Sequence, residues 1–328
     1  MIDRRGVLIA GGAILASTAM PCVSFASAGT VRVAALRFGS LNWLLETIRA
    51  EGLAEKAGLT LEIVTVATNH AGPVALLAGE ADVIVSDWTW ALRQRAFGEK
   101  LKFAPYSSAL GAVMVPEGSS IAKLADLEGK KLGVAGSAID KSWLLLRAYS
   151  RKTTGKDVNE VAEPIFGAAP LLTEEIRNGR IDAVLNFWTY SARLSGSGFR
   201  QLVTMDEILN TLGIDPAPPL VGFIWREETE VNKGLAIATF LDVVAKANEV
   251  LATSDTAWER IRDLVKPKSD AEFAAIKAFY REGIPQPWSA AETESAEKLT
   301  QVLTDVGAAR LMGGDTKFDP KLFHAAGS

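Results

Sequence analysis

Five residues of this chain recur at an offset of 100: Gly79, Asp82, Trp88, Thr89 and Arg93 return as Gly179, Asp182, Trp188, Thr189 and Arg193. In each copy the glycine ends an amphipathic run, an apolar strand follows the aspartate, and a Trp-Thr-aromatic turn opens the next helix. Trp43-Leu44-Leu45 and Trp143-Leu144-Leu145 match at the same offset, each after a short apolar strand and a Gly-Ser pair. Two similar α/β units facing one another are the simplest account. A length of 328 residues leaves room for two domains of about 100 to 150 residues each.

The first 28 residues read as a signal peptide rather than as fold. Arg4 and Arg5 give a positive start, Gly6 to Met20 an apolar stretch too short to span a membrane, and Ala26-Ser27-Ala28 a small-residue cleavage site before Gly29. Arg4-Arg5-Gly6-Val7-Leu8 resembles the twin-arginine pattern, but Asp3 stands where Ser or Thr is usual, so the twin-arginine and general secretory routes both stay open. Cys22 is the only cysteine, and Pro21 before it is not the small residue a lipid-modified site wants. Its loss with the leader leaves a mature chain without disulfides, a thiol nucleophile or thiolate metal ligands. With two histidines in the chain, a multi-histidine metal site is excluded, and neither a metal nor a cofactor is expected. A net charge of -4 with no basic block longer than two residues argues against nucleic acid as a partner.

Along the mature chain, strands alternate with helices of about ten to fifteen residues, the signature of βαβ units whose ligand loops lie at the carboxyl ends of parallel strands. A first helix is expected from Leu41 to about Lys56, stopped by Gly58. The break at Pro116-Glu117-Gly118-Ser119-Ser120 and the breaker-rich loop Gly213 to Pro219 mark the two crossings between units. The organisation expected is therefore 1–28 signal peptide, 29–115 first lobe, 116–218 second lobe, and 219–328 a return to the first lobe with C-terminal helices packed on it.

Gly-Glu-Ala-Asp-Val at 79–83, Leu-Glu-Gly-Lys-Lys-Leu-Gly-Val at 127–134, Asn-Gly-Arg-Ile-Asp-Ala at 178–183 and the export signal together resemble the periplasmic solute-binding proteins of ABC importers. The likeness is to the subgroup serving nitrate, sulfonates, taurine and thiamine-precursor pyrimidines. It covers nearly the whole mature chain. The resemblance implies a two-lobed, type II periplasmic-binding-protein α/β fold, with two parallel or mixed sheets flanked by helices and joined by a two-stranded hinge. It further implies a monomer in the periplasm that holds a small-molecule ligand in its cleft and delivers it to an inner-membrane ABC permease. An organic anion such as a sulfonate, or a flat heterocycle, is the expected solute. Two alternatives stay open: a pyrimidine-synthase-like enzyme on the same fold, and a periplasmic partner, including a metal-chelate binder, that presents its ligand to a sensor or enzyme. The enzyme reading is disfavoured, because that chemistry in the family leans on a cysteine-rich iron motif missing here.

Ligand contacts are expected where strands end and helices begin, since unpaired N–H groups and the macrodipole favour an anion there. In the first lobe these are Arg37, Ser40, Asn42, Asn69, His70, Ser86, Asp87 and Trp88; in the second, Ser137, Asp140, Lys141, Asn186, Trp188 and Tyr190. Arg37 and Lys141 are the cations at the strand mouths, suited to an anionic head or to a neighbouring carboxylate. Trp88 and Trp188 are a pair suited to stacking on a solute or closing the rim of the cleft. Capping, ion-pairing and packing are the structural alternatives for each candidate. Arg93 and Arg193 are expected to brace their own helices, and Asp82 and Asp182 to accept N–H groups in the turn after each glycine.

Overall fold

The computed structural model describes residues 27–37, 39–68, 70–308 and 317–324. The predicted signal peptide therefore lies, up to residue 26, outside the described residues. The first lobe runs β1 (Gly29–Leu36), α1 (Ser40–Ala50), α2 (Leu53–Lys56), β2 (Leu59–Val66), α3 (Ala71–Leu77), β3 (Val83–Asp87), α4 (Trp88–Ala96) and β4 (Leu101–Ser107). The second runs β5 (Ala112–Pro116), β6 (Lys131–Ala135), α5 (Lys141–Thr154), α6 (Val158–Val161), β7 (Glu163–Gly167), α7 (Ala169–Arg177), β8 (Ala183–Asn186), α8 (Trp188–Ser195), β9 (Phe199–Thr204) and α9 (Met205–Thr211). The chain then returns through β10 (Val221–Arg226) and continues as α10 (Glu227–Thr253), α11 (Asp255–Arg260), α12 (Arg262–Val265), α13 (Asp270–Glu282) and α14 (Ala290–Leu303).

The two sheets share one plan, ordered β2-β1-β3-β10-β4 and β7-β6-β8-β5-β9. In each, the fourth strand runs antiparallel to both its neighbours, and it is the strand that a crossing delivers: β5 to the second sheet, β10 back to the first. The duplication seen in the sequence is thus a duplication of topology. The crossing out of the first lobe lies at 108–111, not at Pro116, because Val113 already pairs with Leu185 and Val203 in the second sheet. Pro116 is the last residue of β5 and begins only a local turn. Gly111 makes the crossing possible: a Cβ there would lie 1.9 Å from the Asn186 carbonyl oxygen. The opposite face of the same segment is held by the Ser108 N–H, which donates to the Gly283 carbonyl at 2.8 Å.

Local chemistry explains where the elements end, and it corrects four expectations. The first helix stops at Ala50 instead of reaching Lys56, because Gly52 adopts φ 60° and restarts the chain as α2. Asp82 and Asp182 do accept N–H groups, but from neighbouring strands: Arg32 in β1 at 2.9 Å and Lys131 in β6 at 2.8 Å. Asp82 also takes the Arg32 guanidinium at 2.8 Å and the Lys233 ammonium at 2.9 Å, tying α10 to the sheet. The C-terminal helices pack on both lobes, α13 against α8 and α14 against α5. Glu272 of α13, only 1% exposed, pairs with Arg193 of α8 and lies 3.5 Å from Arg177 of α7. Arg193, whose guanidinium also reaches the Val265 carbonyl at 2.6 Å, therefore joins two layers instead of bracing its own helix.

Candidate functional site

A cavity of about 220 Å³ opens between the lobes, walled by the carboxyl ends of the first sheet and closed from the second lobe by Trp188. That volume is roughly the share of seven liquid waters. Its apolar wall includes Leu36, Val66, Ile84, Val85 and Val221, and its polar groups are the hydroxyls of Ser40, Thr68, Tyr106 and Ser107. Among the described residues lining it, none carries a formal charge.

Two features face this cavity unsatisfied. The start of α1, at Gly39, Ser40 and Leu41, lines it, and among the described residues no side chain caps that helix. Gly39 holds φ 108°, a left-handed conformation that brings the bare backbone to the wall without a Cβ. The first N–H groups of an eleven-residue helix, the positive end of its dipole, thus stand at the cavity wall. The Tyr106 hydroxyl, on a residue 7% exposed, has no hydrogen-bond partner of regular geometry. Ser40 is the hydroxyl facing it, and burial pushes the phenol pKa far up, so it remains a donor at any physiological pH. With the Ser40 hydroxyl as its neighbour and no regularly aligned acceptor among the described residues, the phenol is under-satisfied, and a ligand oxygen would complete it.

Trp188 is half-buried and held edge-on by Trp43 at 6.1 Å and by Tyr280 at 6.2 Å between ring centroids. Trp43 and Tyr280 belong to the first-lobe side of the core, so one indole reaches across the interface and presents its remaining surface to the cavity.

Of the residues singled out in the sequence, the structure brings Ser40 and Trp188 to this cavity. The others are used elsewhere. Trp88 carries the same motif as Trp188 but is fully buried, edge-on to Phe323 at 5.9 Å, so it is core rather than cleft wall. Its indole N–H finds no partner among the described residues. Arg37 is exposed and lines a separate surface groove with Glu46, Arg49 and Glu55, because it follows Leu36 at the strand end and points the opposite way. Asn42 lines that groove too, and its amide donates to the Leu36 carbonyl at 2.8 Å. Asn186 is buried, its amide donating to Thr173 at 2.9 Å, so it fastens β8 to α7. Tyr190 packs with the second-lobe core, Ser86 sits half-buried opposite Gly222 in the sheet, and His70 and Ser137 are exposed outside the cavity. Asn69 lies outside the described residues.

Asp87 and Lys141 meet across the lobes, with Asp140 next to Lys141 in the chain. The Lys141 ammonium lies 3.3 Å from the Asp87 carboxylate, joining α5 of the second lobe to the end of β3 in the first. Asp87 also caps α4, accepting the Trp90 N–H at 2.9 Å and the Thr89 hydroxyl. Burial pushes its carboxyl up, but Lys141 and these donors outweigh that and hold it below the ordinary carboxylate value. Asp140 caps α5 through the Ser142 N–H at 2.9 Å; there burial dominates, and its carboxyl is raised.

Sequence reasoning missed Tyr106, Thr68, Ser107 and Val221. Nothing in the run from Leu101 to Val115 separates the pocket end of β4 from scaffold: only the pairing of β10 with β3 and β4 places Val221 beside Ser107 and Asp87.

Two mixed five-stranded sheets, two crossings and a pocket at the strand ends define the two-lobed α/β fold of type II periplasmic binding proteins. The chain belongs to the NMT1/THI5-like family, whose model matches residues 49–215. No curated protein sequence matches it. Among solved structures, it resembles the periplasmic aliphatic sulphonate binding protein SsuA from Escherichia coli, at 17% identity and a TM-score of 0.70, over 90% of this chain and 92% of that one. It also resembles the alkanesulfonate-binding protein SsuA from Xanthomonas axonopodis pv. citri bound to MOPS, at 17% identity and a TM-score of 0.68, over 92% and 100%. The desulfurization enzyme DSZB shares the fold at 14% identity and a TM-score of 0.58, over 85% and 93%.

Proposed function

We propose that this protein is the periplasmic solute-binding component of an ABC importer. It captures a small organic anion with a diffuse, singly charged head, of which a sulfonate is the best example, and passes it to an inner-membrane permease. The observation that carries this reading is the uncharged cavity in which the open start of α1 and the Tyr106 hydroxyl, with only the Ser40 hydroxyl facing it among the described residues, converge beneath Trp188. A head held by helix N–H groups and a phenol needs no cationic side chain, and the apolar wall suits an alkyl or aryl body. The two SsuA proteins of like fold support the choice of sulfonate. Solute held between the lobes makes its full set of contacts only when they are closed, which is the differential affinity that a conformational shift requires.

A binding role is favoured over the chemistry of DSZB by the lining itself. Its one titratable side chain among the described residues is Tyr106, which burial keeps protonated, so no general base faces the cavity. Removal of residues 1–28 on export, by either route, completes the reading, and N-terminal sequencing of periplasmic protein tests that step.

Isothermal titration with 1-hexanesulfonate, taurine, nitrate and a pyrimidine tests the class of solute. Hexanesulfonate is expected to bind tightest, because the lining offers taurine's ammonium no carboxylate and gives nitrate no body to bury. Tighter binding of taurine or of the pyrimidine contradicts the reading.

A further inference from the structure

The sequence repeat, laid onto the structure, pairs the two interlobe junctions. At one junction α8 of the second lobe meets α1 of the first through Trp188 and Trp43, and the solute cavity lies there. At the other, Lys141 at the start of α5 in the second lobe reaches Asp87, the cap of α4 in the first, and Trp88 and Trp143 belong to one continuous core cluster. The offset of 100 makes Leu41 the counterpart of Lys141 and Phe187 the counterpart of Asp87. Leu41 lines the cavity and Phe187 is 42% exposed beside Trp188. Where one junction has two apolar side chains and space, its counterpart has an ion pair.

We infer that Asp87 and Lys141 form an electrostatic clasp that holds the two lobes closed at the junction which does not bind solute. The geometry fits such a role. The pair is the direct ionic link between the β3–α4 turn and α5, it is partly buried, with side chains 28% and 18% exposed, and both residues stand at helix starts anchored in their own lobes. Asp87 is fixed as the cap of α4, so its carboxylate is already placed when Lys141 arrives and little side-chain entropy is lost on that side. Rotation of one lobe away from the other about the crossings separates the two groups and returns both to water. The clasp thus adds to the stability of the closed form without touching solute, since neither Asp87 nor Lys141 lines the cavity. The solute-affinity consequence rests on the binding role proposed above; the conformational consequence does not.

The test is a double-mutant cycle over Asp87→Asn and Lys141→Met, with the charge swap Asp87→Lys/Lys141→Asp, each checked for native circular dichroism. With 1-hexanesulfonate as the probe, each single variant is expected to lose roughly three- to tenfold in affinity, the double variant no more than either single, and the swap to recover most of the loss. The sign for Asp87→Asn is decisive. A direct solute contact by Lys141 predicts tighter anion binding once Asp87 is neutralised, whereas the clasp predicts weaker binding. Spin labels on cysteines at Glu80 and Lys152, exposed positions of the two lobes, give a readout without probe. The separation is expected to broaden toward the open form in the single variants and to return in the swap. Tighter binding by Asp87→Asn, additive single effects, or distance distributions unchanged in both singles overturn the clasp. If the wild type binds no hexanesulfonate, it is the proposed solute class that fails, and the label distances alone decide the clasp.

Discussion

Tyr106→Phe has opposite expected effects on stability and on binding, and that opposition is what marks a ligand group. The hydroxyl is buried on a residue 7% exposed, faces the Ser40 hydroxyl, and has no regularly aligned hydrogen bond among the described residues. Deleting it removes an unsatisfied polar group without changing the ring, which still packs edge-on to Phe223 at 5.4 Å. Relief of an unsatisfied buried donor amounts to about 1–3 kcal/mol. In a chain of this length each kcal/mol moves the melting midpoint by roughly 1–2 °C, so the variant is expected to melt a few degrees higher. Binding moves the other way. A hydrogen bond to a charged group contributes about 1.5–3 kcal/mol, so the affinity for 1-hexanesulfonate should fall roughly ten- to a hundredfold. Calorimetric melting and isothermal titration on the same preparations measure both. A lower melting midpoint with unchanged affinity refutes the reasoning, because it makes the hydroxyl structural and removes a donor from the proposed head site.

Three further outcomes follow from the same geometry. Trp188→Ala should weaken binding at least tenfold and, because the indole also packs on Trp43 and Tyr280, lower stability by about 2 kcal/mol, read by titration and urea unfolding; unchanged affinity removes it from the site. Gly111→Ala places a Cβ 1.9 Å from the Asn186 carbonyl and should destabilise the protein by about 3 kcal/mol or more, whereas a melting midpoint within a degree of wild type contradicts the crossing as described. Asp157, 4% exposed and paired with Arg147 at 2.8 Å and Arg151 at 2.5 Å, is pushed up by burial but held below the ordinary carboxylate value by the two arginines and the Asn159 N–H. A depressed native pKa contributes stability that is fully present above the unfolded carboxylate pKa of about 3.9 and is lost as pH falls through the native value. Asp157→Asn should therefore cost about 3 kcal/mol at pH 7 and progressively less as the pH drops below 4, measured by urea unfolding; a cost independent of pH contradicts the ion pair.

The scaffold was legible in the sequence because its signals are local. Gly79 and Gly179 stop helices with φ 73° and 66°, the aspartates follow at fixed spacing, and the equal spacing of the copies reports two sheets of one plan. The site was legible only in part, since a pocket is assembled from strand ends distant in the chain. Ser40 and Trp188 carried a signal, as a Gly-Ser turn and a repeated tryptophan. Tyr106 and Val221 carried none, because their place depends on β10 entering the first sheet between β3 and β4. Trp88 and Trp188 share a motif but not a fate: Phe323, far along the chain, covers the first and leaves the second to the cleft. Arg37 shows the cost of ignoring the strand period, for one residue's step from Leu36 takes the cation to another face.

The central claim is that the solute lies between the lobes at the start of α1. A crystal structure of the protein grown with 1-hexanesulfonate, or with the solute it carries from its own periplasm, tests this most directly. Density is expected in the cavity under Trp188, with head oxygens within hydrogen-bond distance of the Ser40 and Leu41 N–H groups and the Tyr106 hydroxyl. Density in the groove beside Arg37 and Glu46, or a cavity filled only by ordered water at saturating ligand, contradicts it.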